Sequence, residues 1–267
     1  MSMGRLNVYY RYALSSLHLD AAYPAWYWSF MFVTFSKLIL MVSFWEAVFD
    51  GRELLNDWTM TALMTYAVLS MLLNEYIGGP AWELSALIRQ GQVAIELLRP
   101  YDILWRLTAQ EYGHKFSNAL RTAVPLLAVM AFFFPLEGPQ SSLGFSIFIG
   151  SVLFAIVLGG LVDLLIGMMA FWLENMWGLR VFKSALFLFF TGALIPINLF
   201  PEWLQTVCAW TPFPSLVYTP IAIYTGKLSG DAMWFGLGMQ LIWLVVIYTV
   251  VRVVWRIALR RVTVFGG

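Results

Sequence analysis

The chain has 267 residues, of which 61% are hydrophobic and 12% are charged, and its mean hydropathy is +0.76. Soluble domains average nearly half apolar and about a quarter charged residues, so this composition excludes an ordinary soluble domain and indicates an integral membrane protein. The formal net charge of +1 gives no basis for nucleic-acid binding, and the single cysteine, Cys208, excludes an intramolecular disulfide.

The N-terminal segment combines aromatic, aliphatic and basic residues. Residues 2–22 hold tyrosines and leucines close to Arg5 and Arg11. Tyrosines at headgroup level and basic residues on an amphipathic segment are typical of a helix that lies in the membrane interface. We therefore expect an interfacial helix over residues 2–22, with a disordered tail as the alternative.

Six longer apolar segments follow, and each is long enough for a transmembrane helix, which needs ~20 residues. The first begins near residue 24 and is too long for the apolar core of a signal peptide, so we expect it to remain as a membrane anchor. The fourth covers about 30 residues, which as a helix would extend about 45 Å and would have to tilt in a ~30 Å hydrocarbon core or protrude from it. The predicted spans are residues 24–48, 58–77, 118–135, 143–173, 181–199 and 232–254.

The apolar stretch between the last two spans is too broken to cross a membrane. Residues 200–227 contain Pro201, Pro212, Pro214 and Pro220, and proline removes a backbone donor and interrupts helices. Non-helical backbone at membrane depth has to be buried in protein or in contact with water. We therefore predict two short re-entrant or interfacial helices over this segment.

The longest polar interruption covers residues 78–100. It opens with two glycines and a proline and closes with Arg99 and Pro100, all of which break helices. Between these breaks, apolar residues recur mostly at three- and four-residue steps and alternate with charges. This pattern predicts one short amphipathic helix, or two with a break at Gly91. A polar helix between two spans suits contact with a soluble protein partner.

The distribution of basic residues predicts the orientation. With the N-terminus in the cytoplasm and six spans, all but three of the 16 Lys and Arg residues fall on the inside. The exceptions are Arg52 and Lys227 on the outside and Lys37 within a span. By the positive-inside rule, both termini and residues 78–117 are cytoplasmic, and residues 200–230 face out. The predicted fold is an all-α integral membrane protein with a single domain, residues 1–267.

Motifs for catalysis are absent from the sequence. Lys227 follows Gly226, but Ile221 stands where a phosphate-binding loop needs its first glycine. His18 and His114 are far apart and have no ligand-like spacing to carboxylates, so we expect no metal site. No serine, cysteine or threonine lies in a nucleophile motif. We predict no catalytic, cofactor-binding or metal-binding residue, which leaves transport or a scaffold for transport.

Several motifs resemble those of a known family of membrane proteins. The run 91–100, which ends in Leu97, Leu98, Arg99 and Pro100, resembles the cytoplasmic G-x-x-x-x-x-L-L-R-P segment of type-2 (ABC-2 class) ABC-transporter permeases, in particular the six-span export branch. The resemblance covers essentially the whole chain. Two later patterns resemble the same family: Gly192 to Ile197 followed by Phe200 and Pro201, and Pro212 and Phe213 followed by Pro220 and Gly226.

The resemblance implies a permease subunit of an ATP-driven exporter in a bacterial-type plasma (inner) membrane. It would pair with a second permease chain, the same or similar, and with two separate ABC ATPase subunits. ATP and Mg would bind those partners, so no cofactor is expected on this chain. Residues 81–99 would form the coupling helix, residues 2–22 the connecting helix, and residues 200–227 the extracellular re-entrant pair. The resemblance does not identify the substrate, and the high aromatic content would suit an amphiphilic one.

The same resemblance indicates which residues couple the permease to the ATPase. We expect four charged side chains of the coupling helix to face the ATPase, and we expect Gly91 and Pro100 to shape the segment. An ordinary solvated loop, whose charges only set the topology, is the alternative. The four charged residues are Glu83, Arg89, Glu96 and Arg99.

Three ionisable residues lie within predicted spans. A lysine at the centre of a membrane helix costs about 2.5–3.5 kcal/mol on insertion scales, so Lys37 is expected to face protein or water. Lys37 and Asp163 could line the translocation path and contact a polar headgroup, and Glu46 is a weaker candidate near the outer end of the first span. The alternative is a structural ion pair between spans, with Glu46 reaching the interface.

Two other functions stay open from the sequence. A self-contained secondary transporter would show internal repeats and broken helices at the membrane midplane. We find no clear repeat, and the broken segment is predicted on the outer side, which disfavours this reading. A non-transporting membrane anchor for an ATPase would have the same residue pattern as a permease and would differ only in whether a substrate moves.

Overall fold

The computed structural model describes residues 7–15, 24–51, 54–55 and 57–261, with backbone only for residues 24–27 and for Leu55. The chain is 77% helical and all-α. Within the described residues, the strands are limited to a two-residue antiparallel pair, β1 (Leu54–Leu55) and β2 (Trp58–Thr59). The predicted fold class, an all-α membrane protein, is confirmed at this level.

The described residues form α-helices of very different lengths, joined by short turns. A π-helical turn, Ala119–Ala123, makes α6 and α7 continuous, and a 3₁₀ turn, Met169–Phe171, extends α8. In chain order the helices are α1 (7–15), α2 (Pro24–Phe49), α3 (Met60–Tyr76), α4 (Ala81–Arg89), α5 (Val93–Leu97), α6 (Ile103–Asn118), α7 (Val124–Phe133), α8 (Ser142–Met168), α9 (Trp177–Phe190), α10 (Glu202–Ala209), α11 (Tyr218–Tyr224) and α12 (Gly230–Leu259).

Four of these helical segments are long and apolar enough to cross a membrane. Among the described residues they are Trp28–Phe49, Ile103–Phe133, Ser142–Phe171 and Gly230–Leu259. The other two predicted spans correspond to α3 and α9, which at 17 and 14 residues extend only about 26 Å and 21 Å. The structure therefore supports a multi-pass membrane protein, and the six-span count is not confirmed.

The third predicted span begins too late. The helix starts at Ile103, not near residue 118, and the polar residues before 118 belong to it. Asp102 caps its first turn, where its carboxylate accepts the Leu104 N–H at 2.9 Å. A charged residue such as Lys115 fits into this helix because its ammonium donates to the backbone carbonyl of Tyr76 at 2.6 Å.

The fifth predicted span ends too late. Helix α9 stops at Phe190, and Gly192 follows with φ +79°, a left-handed conformation that glycine adopts readily. Two donors from α3 bind the freed carbonyls: the Tyr66 hydroxyl reaches Gly192 O at 2.7 Å and Ser70 Oγ reaches Ala193 O at 3.0 Å. The chain can leave the helix here because its backbone acceptors are bonded inside the protein.

Helix α3 packs against α2 and α11, and more than half of its 17 residues are buried. Helix α8 packs against α4, α11 and α12. A buried polar group joins α8 to α12, since Gln240 Oε1 accepts from Ser151 Oγ at 2.8 Å. The amide of Gln240 also donates to Ser215 O at 2.7 Å. These bonds tie the last helix to the loop before α11.

Two further predicted segments contain helices. The N-terminal prediction covered residues 2–22, and α1 occupies residues 7–15 of it, while residues 2–6 and 16–22 lie outside the described residues. The proline-rich segment 200–227 contains the two short helices α10 and α11. The interfacial position of α1, and the re-entrant, extracellular position of α10 and α11, stay predictions.

Candidate functional site

The polar interruption forms two short helices with a sharp turn between them. Helix α4 follows Pro80 and ends at Arg89, and α5 begins at Val93. Gly91 between them has φ +70°, and a side chain at this position would be strained. The predicted coupling segment 81–99 is therefore two helices with a break at Gly91, the second of the two arrangements that the sequence allowed.

Glycine residues allow helix α4 to pack closely against α8. A Cβ atom added to Gly167 of α8 would lie 2.9 Å from the Ala81 carbonyl oxygen at the start of α4. A Cβ added to Gly79 would lie 2.8 Å from the Gly160 backbone of α8. Leu84 of α4 is fully buried in the same contact region. These glycines allow the backbones to approach closely, so movement of α4 has to move α8 with it or break this contact.

Arg106 of α6 contacts both short helices, α4 and α5, on their buried side. Its side chain is 7% exposed, with Nη1 3.4 Å from Glu83 Oε1 and Nε 3.2 Å from Glu96 Oε2. Burial raises the pKa of Glu83, and the charge of Arg106 partly offsets this shift. Glu96 is buried, and Glu83 turns toward α6. Both contact Arg106, although the Glu83 side chain is still 39% exposed, and the expectation that they face the ATPase stays a prediction.

The segment after α5 connects to α1 through tyrosines. Arg99 Nη1 donates to the Tyr101 hydroxyl at 2.8 Å, and that hydroxyl donates to Glu96 Oε2 at 3.2 Å. The Tyr12 hydroxyl of α1 lies 3.1 Å from the Tyr101 hydroxyl. Burial raises the pKa of Tyr101 to about 12, so the phenol keeps its proton at neutral pH. The Tyr9 hydroxyl accepts the Asp102 N–H at 3.1 Å.

The outer surface of the same segment is apolar. Ile95, Leu97 and Leu98, which we call the apex patch, are 60%, 41% and 86% exposed. Arg89 and Arg99 are exposed on either side of it. Sequence reasoning concentrated on charges and missed this patch as a contact surface, although Leu97 and Leu98 lie in the motif that carried the family resemblance.

The structure gives separate partners to two ionisable residues that the sequence placed within spans. Lys37 of α2 forms an ion pair with Glu75 of α3 at 3.1 Å, and its side chain is 49% exposed. Asp163 of α8 is buried, accepts the Gly79 N–H at 2.6 Å and pairs with Lys183 of α9. Sequence reasoning missed Glu75 and Lys183, whose identity as partners depends on helix packing. Glu46 is exposed on α2.

A cleft of about 410 Å³ lies between α3, α4, α8 and α9. Asp163 and Glu75 line it, but Lys37 and Glu46 do not. Of the expected path residues, the structure therefore brings one, Asp163, to this cleft. The lining also includes Trp82, Arg180 and Lys183, which the sequence did not suggest as site residues.

Comparison with known families identifies the chain. The family described as "ABC-2 family transporter protein" matches residues 31–266, which include α3 to α12 and most of α2. No curated protein matches the chain. The match covers the apex patch, the Arg106 contacts and the cleft. The chain belongs to the ABC-2 family of transporter proteins.

Proposed function

We propose that the chain is the permease subunit of an ATP-driven exporter, pairing with a second permease and with two ABC ATPase subunits that carry ATP and Mg. It would move an amphiphilic substrate out of the cytoplasm or the inner leaflet of a bacterial-type plasma membrane, with both termini in the cytoplasm. The observation that carries this proposal is the α4–α5 segment, which is anchored on its inner side and apolar on its outer side.

The apex patch is the part of this segment that suits a protein groove. Exposed large apolar side chains that are contiguous and rimmed by polar residues mark interaction sites. Leu98 and Ile95 supply the apolar centre, and the exposed Arg99 next to them would steer an acidic groove on the ATPase. In this proposal Glu83 and Glu96 act indirectly, by holding the segment in position through Arg106.

The inner contacts of the segment provide a route for motion. Closure of the ATPase dimer on ATP would displace α4 and α5. Since α4 is seated on glycines of α8, and Arg106 ties both short helices to α6, a displacement would be shared by two long helices. Their movement would open the interface with the second permease toward the outside or toward lipid.

The experiment that tests this function is co-purification from native membranes in mild detergent. The wild-type chain should recover an ABC ATPase, and Leu98→Asp should lose most of it, because a carboxylate would enter the apolar contact. Leu54→Asp is the matched control, since Leu54 is 58% exposed in the β1 loop on the predicted outer side. This control should recover the ATPase as the wild type does.

The possible outcomes of the co-purification distinguish the proposed function from its alternatives. Recovery of the ATPase with Leu98→Asp would exclude the apex patch as the contact. Failure of the wild type to recover any ATPase would contradict the exporter proposal and favour a self-contained transporter. An ATPase that binds but drives no substrate movement in vesicles would favour a non-transporting anchor.

A further inference from the structure

Two arginines from different helices meet on one tryptophan at the cleft. Trp82 of α4 lines the cleft and is 61% exposed. The guanidinium of Arg180 in α9 lies 5.4 Å from its ring centroid, and that of Arg89 in α4 lies 5.8 Å from it. Cation–π contacts hold such side chains in place but do not neutralise their charge.

The other charges around the cleft are already compensated. Asp163 pairs with Lys183, and Glu75 pairs with Lys37. No carboxylate of the described residues lies within ion-pair distance of Arg89 or Arg180. The net charge around the cleft is therefore positive, although two carboxylates line it.

The helix that carries Arg180 adds to this positive field. Arg180 is the fourth residue of α9, and the N-terminal end of a helix carries a partial positive charge. A basic side chain is unfavourable at this position unless an anion is nearby. An anion at the mouth of the cleft would therefore interact with Arg180, with Arg89 and with the end of α9.

We propose that this cleft binds the phosphate-bearing headgroup of an amphiphile, with Arg180 and Arg89 as its charged contacts and Trp82 beside its apolar part. Guanidinium groups match phosphate oxygens in geometry and charge. The volume of about 410 Å³ is of the size of a small-molecule site, and Ile166, Met176 and Phe187 provide apolar walls for the start of an acyl chain. Calling this amphiphile the cargo rests on the proposed export function, but its binding does not.

An acidic segment of a protein partner fits these observations less well. Trp82 and Arg180 line a cleft that extends inward to buried Asp163 and to Gly78 and Gly79, which a protein surface would not fill. Arg89 alone lies toward the apex patch. We therefore assign Arg180 to the headgroup and treat partner binding as the competing outcome.

The test measures lipid binding to the purified full chain by native mass spectrometry. Phosphatidylglycerol is the probe, phosphatidylcholine is the zwitterionic comparison and inorganic phosphate is the competitor. Arg180→Gln should weaken phosphatidylglycerol binding about tenfold, as expected for loss of one charge-assisted contact. Arg89→Gln should weaken it less, and the double variant more. Arg256→Gln is the matched control, because Arg256 is an exposed arginine on α12 away from the cleft.

A second variant should bind phosphatidylglycerol more tightly, and misfolding of the chain cannot produce that result. Glu75→Gln removes one carboxylate from the cleft lining and frees the ammonium of Lys37, so phosphatidylglycerol should bind more tightly than to the wild type. Displacement of the lipid by millimolar inorganic phosphate would show that the site recognises phosphate from either source. Persistence of the lipid would show that the acyl chain is also bound.

Three results would overturn the proposal. One is an equal loss of lipid binding in Arg256→Gln, which would mean general attraction to basic residues. Another is equal binding of phosphatidylcholine and phosphatidylglycerol. The third is unchanged lipid binding in Arg180→Gln, and a loss of ATPase recovery in the same variant would assign Arg180 to the partner. Because the lipid test uses the isolated chain, it can be read even if no ATPase is recovered.

Discussion

The carboxylate of Asp163, buried near the C-terminal end of α8, accepts the backbone N–H of Gly79 at 2.6 Å. Gly79 lies in the short link between α3 and α4. On the other side of this link, the ammonium of Lys115 from α6 donates to the carbonyls of Tyr76 and Gly78. The link between α3 and α4 is therefore held by polar groups from two long helices, so we expect a movement of α4 to be transmitted to both of them.

The buried Asp163–Lys183 pair should be needed for stability. Asp163→Asn keeps an acceptor for Gly79 but leaves the Lys183 ammonium unpaired in a buried site. Breaking one side of a buried pair costs about 3–5 kcal/mol, so we expect a clearly lower midpoint of thermal unfolding in detergent. The double variant with Lys183→Met should recover part of the loss.

The matched comparison for this pair is Lys37 and Glu75, whose side chains are 49% and 28% exposed. Partly exposed pairs contribute about 1 kcal/mol or less, so Lys37→Met should leave the midpoint almost unchanged. An equal loss in Lys37→Met and Asp163→Asn would contradict the view that burial makes the Asp163 pair the important one.

Gly159 of α8 should not tolerate a side chain. A Cβ atom at this position would overlap the carbonyl oxygen of Ile77, while Gly150 on the same helix has no atom near its added Cβ. We expect Gly159→Ala to lower stability by about 1–3 kcal/mol through overpacking. Gly150→Ala should be neutral or stabilising by up to about 1 kcal/mol, since alanine favours helix. Equal thermal midpoints of the two variants would show that the backbone contact is not tight.

Arg106 should position the coupling segment. Arg106→Met removes the buried cation that pairs with Glu83 and Glu96 and leaves Glu96 with only the half-exposed Arg99, so we expect α5 to move and both stability and ATPase recovery to fall. The double variant Arg106→Met with Glu96→Gln should restore stability in part, because the charges that lose a partner in it, those of Glu83 and Arg99, are partly exposed to solvent. If Arg106→Met binds the ATPase as the wild type does, the apex patch does not depend on this inner anchor.

The Tyr66 hydroxyl should stabilise the turn after α9. Tyr66→Phe removes the donor to Gly192 O and leaves a buried carbonyl unsatisfied, which should cost about 1–2 kcal/mol. Tyr248→Phe on α12 is the matched control, since Tyr248 is 42% exposed. Thermal unfolding should be lowered by the first change only. An equal effect would mean that the bond to Gly192 contributes little.

The long apolar helices and the local breaks could be predicted from the sequence. Residues 24–48, 143–173 and 232–254 correspond to helices at nearly those positions, and the break at Gly91 is present. The start of the helix at Ile103 could not be predicted, because its charged side chains are compensated by partners on other helices. The early end of α9 at Phe190 could not be predicted either, because it depends on donors from α3.

The sequence by itself determined that this is a multi-pass, all-α membrane protein of the ABC-2 family, since composition, apolar run length and short motifs are local properties of the chain. Only the tertiary structure decided which charges meet. It turned Glu96 inward to Arg106, paired Asp163 with Lys183, and brought Arg180 to Trp82. These partners lie on different helices, so their contacts depend on how the helices pack, which local patterns do not specify.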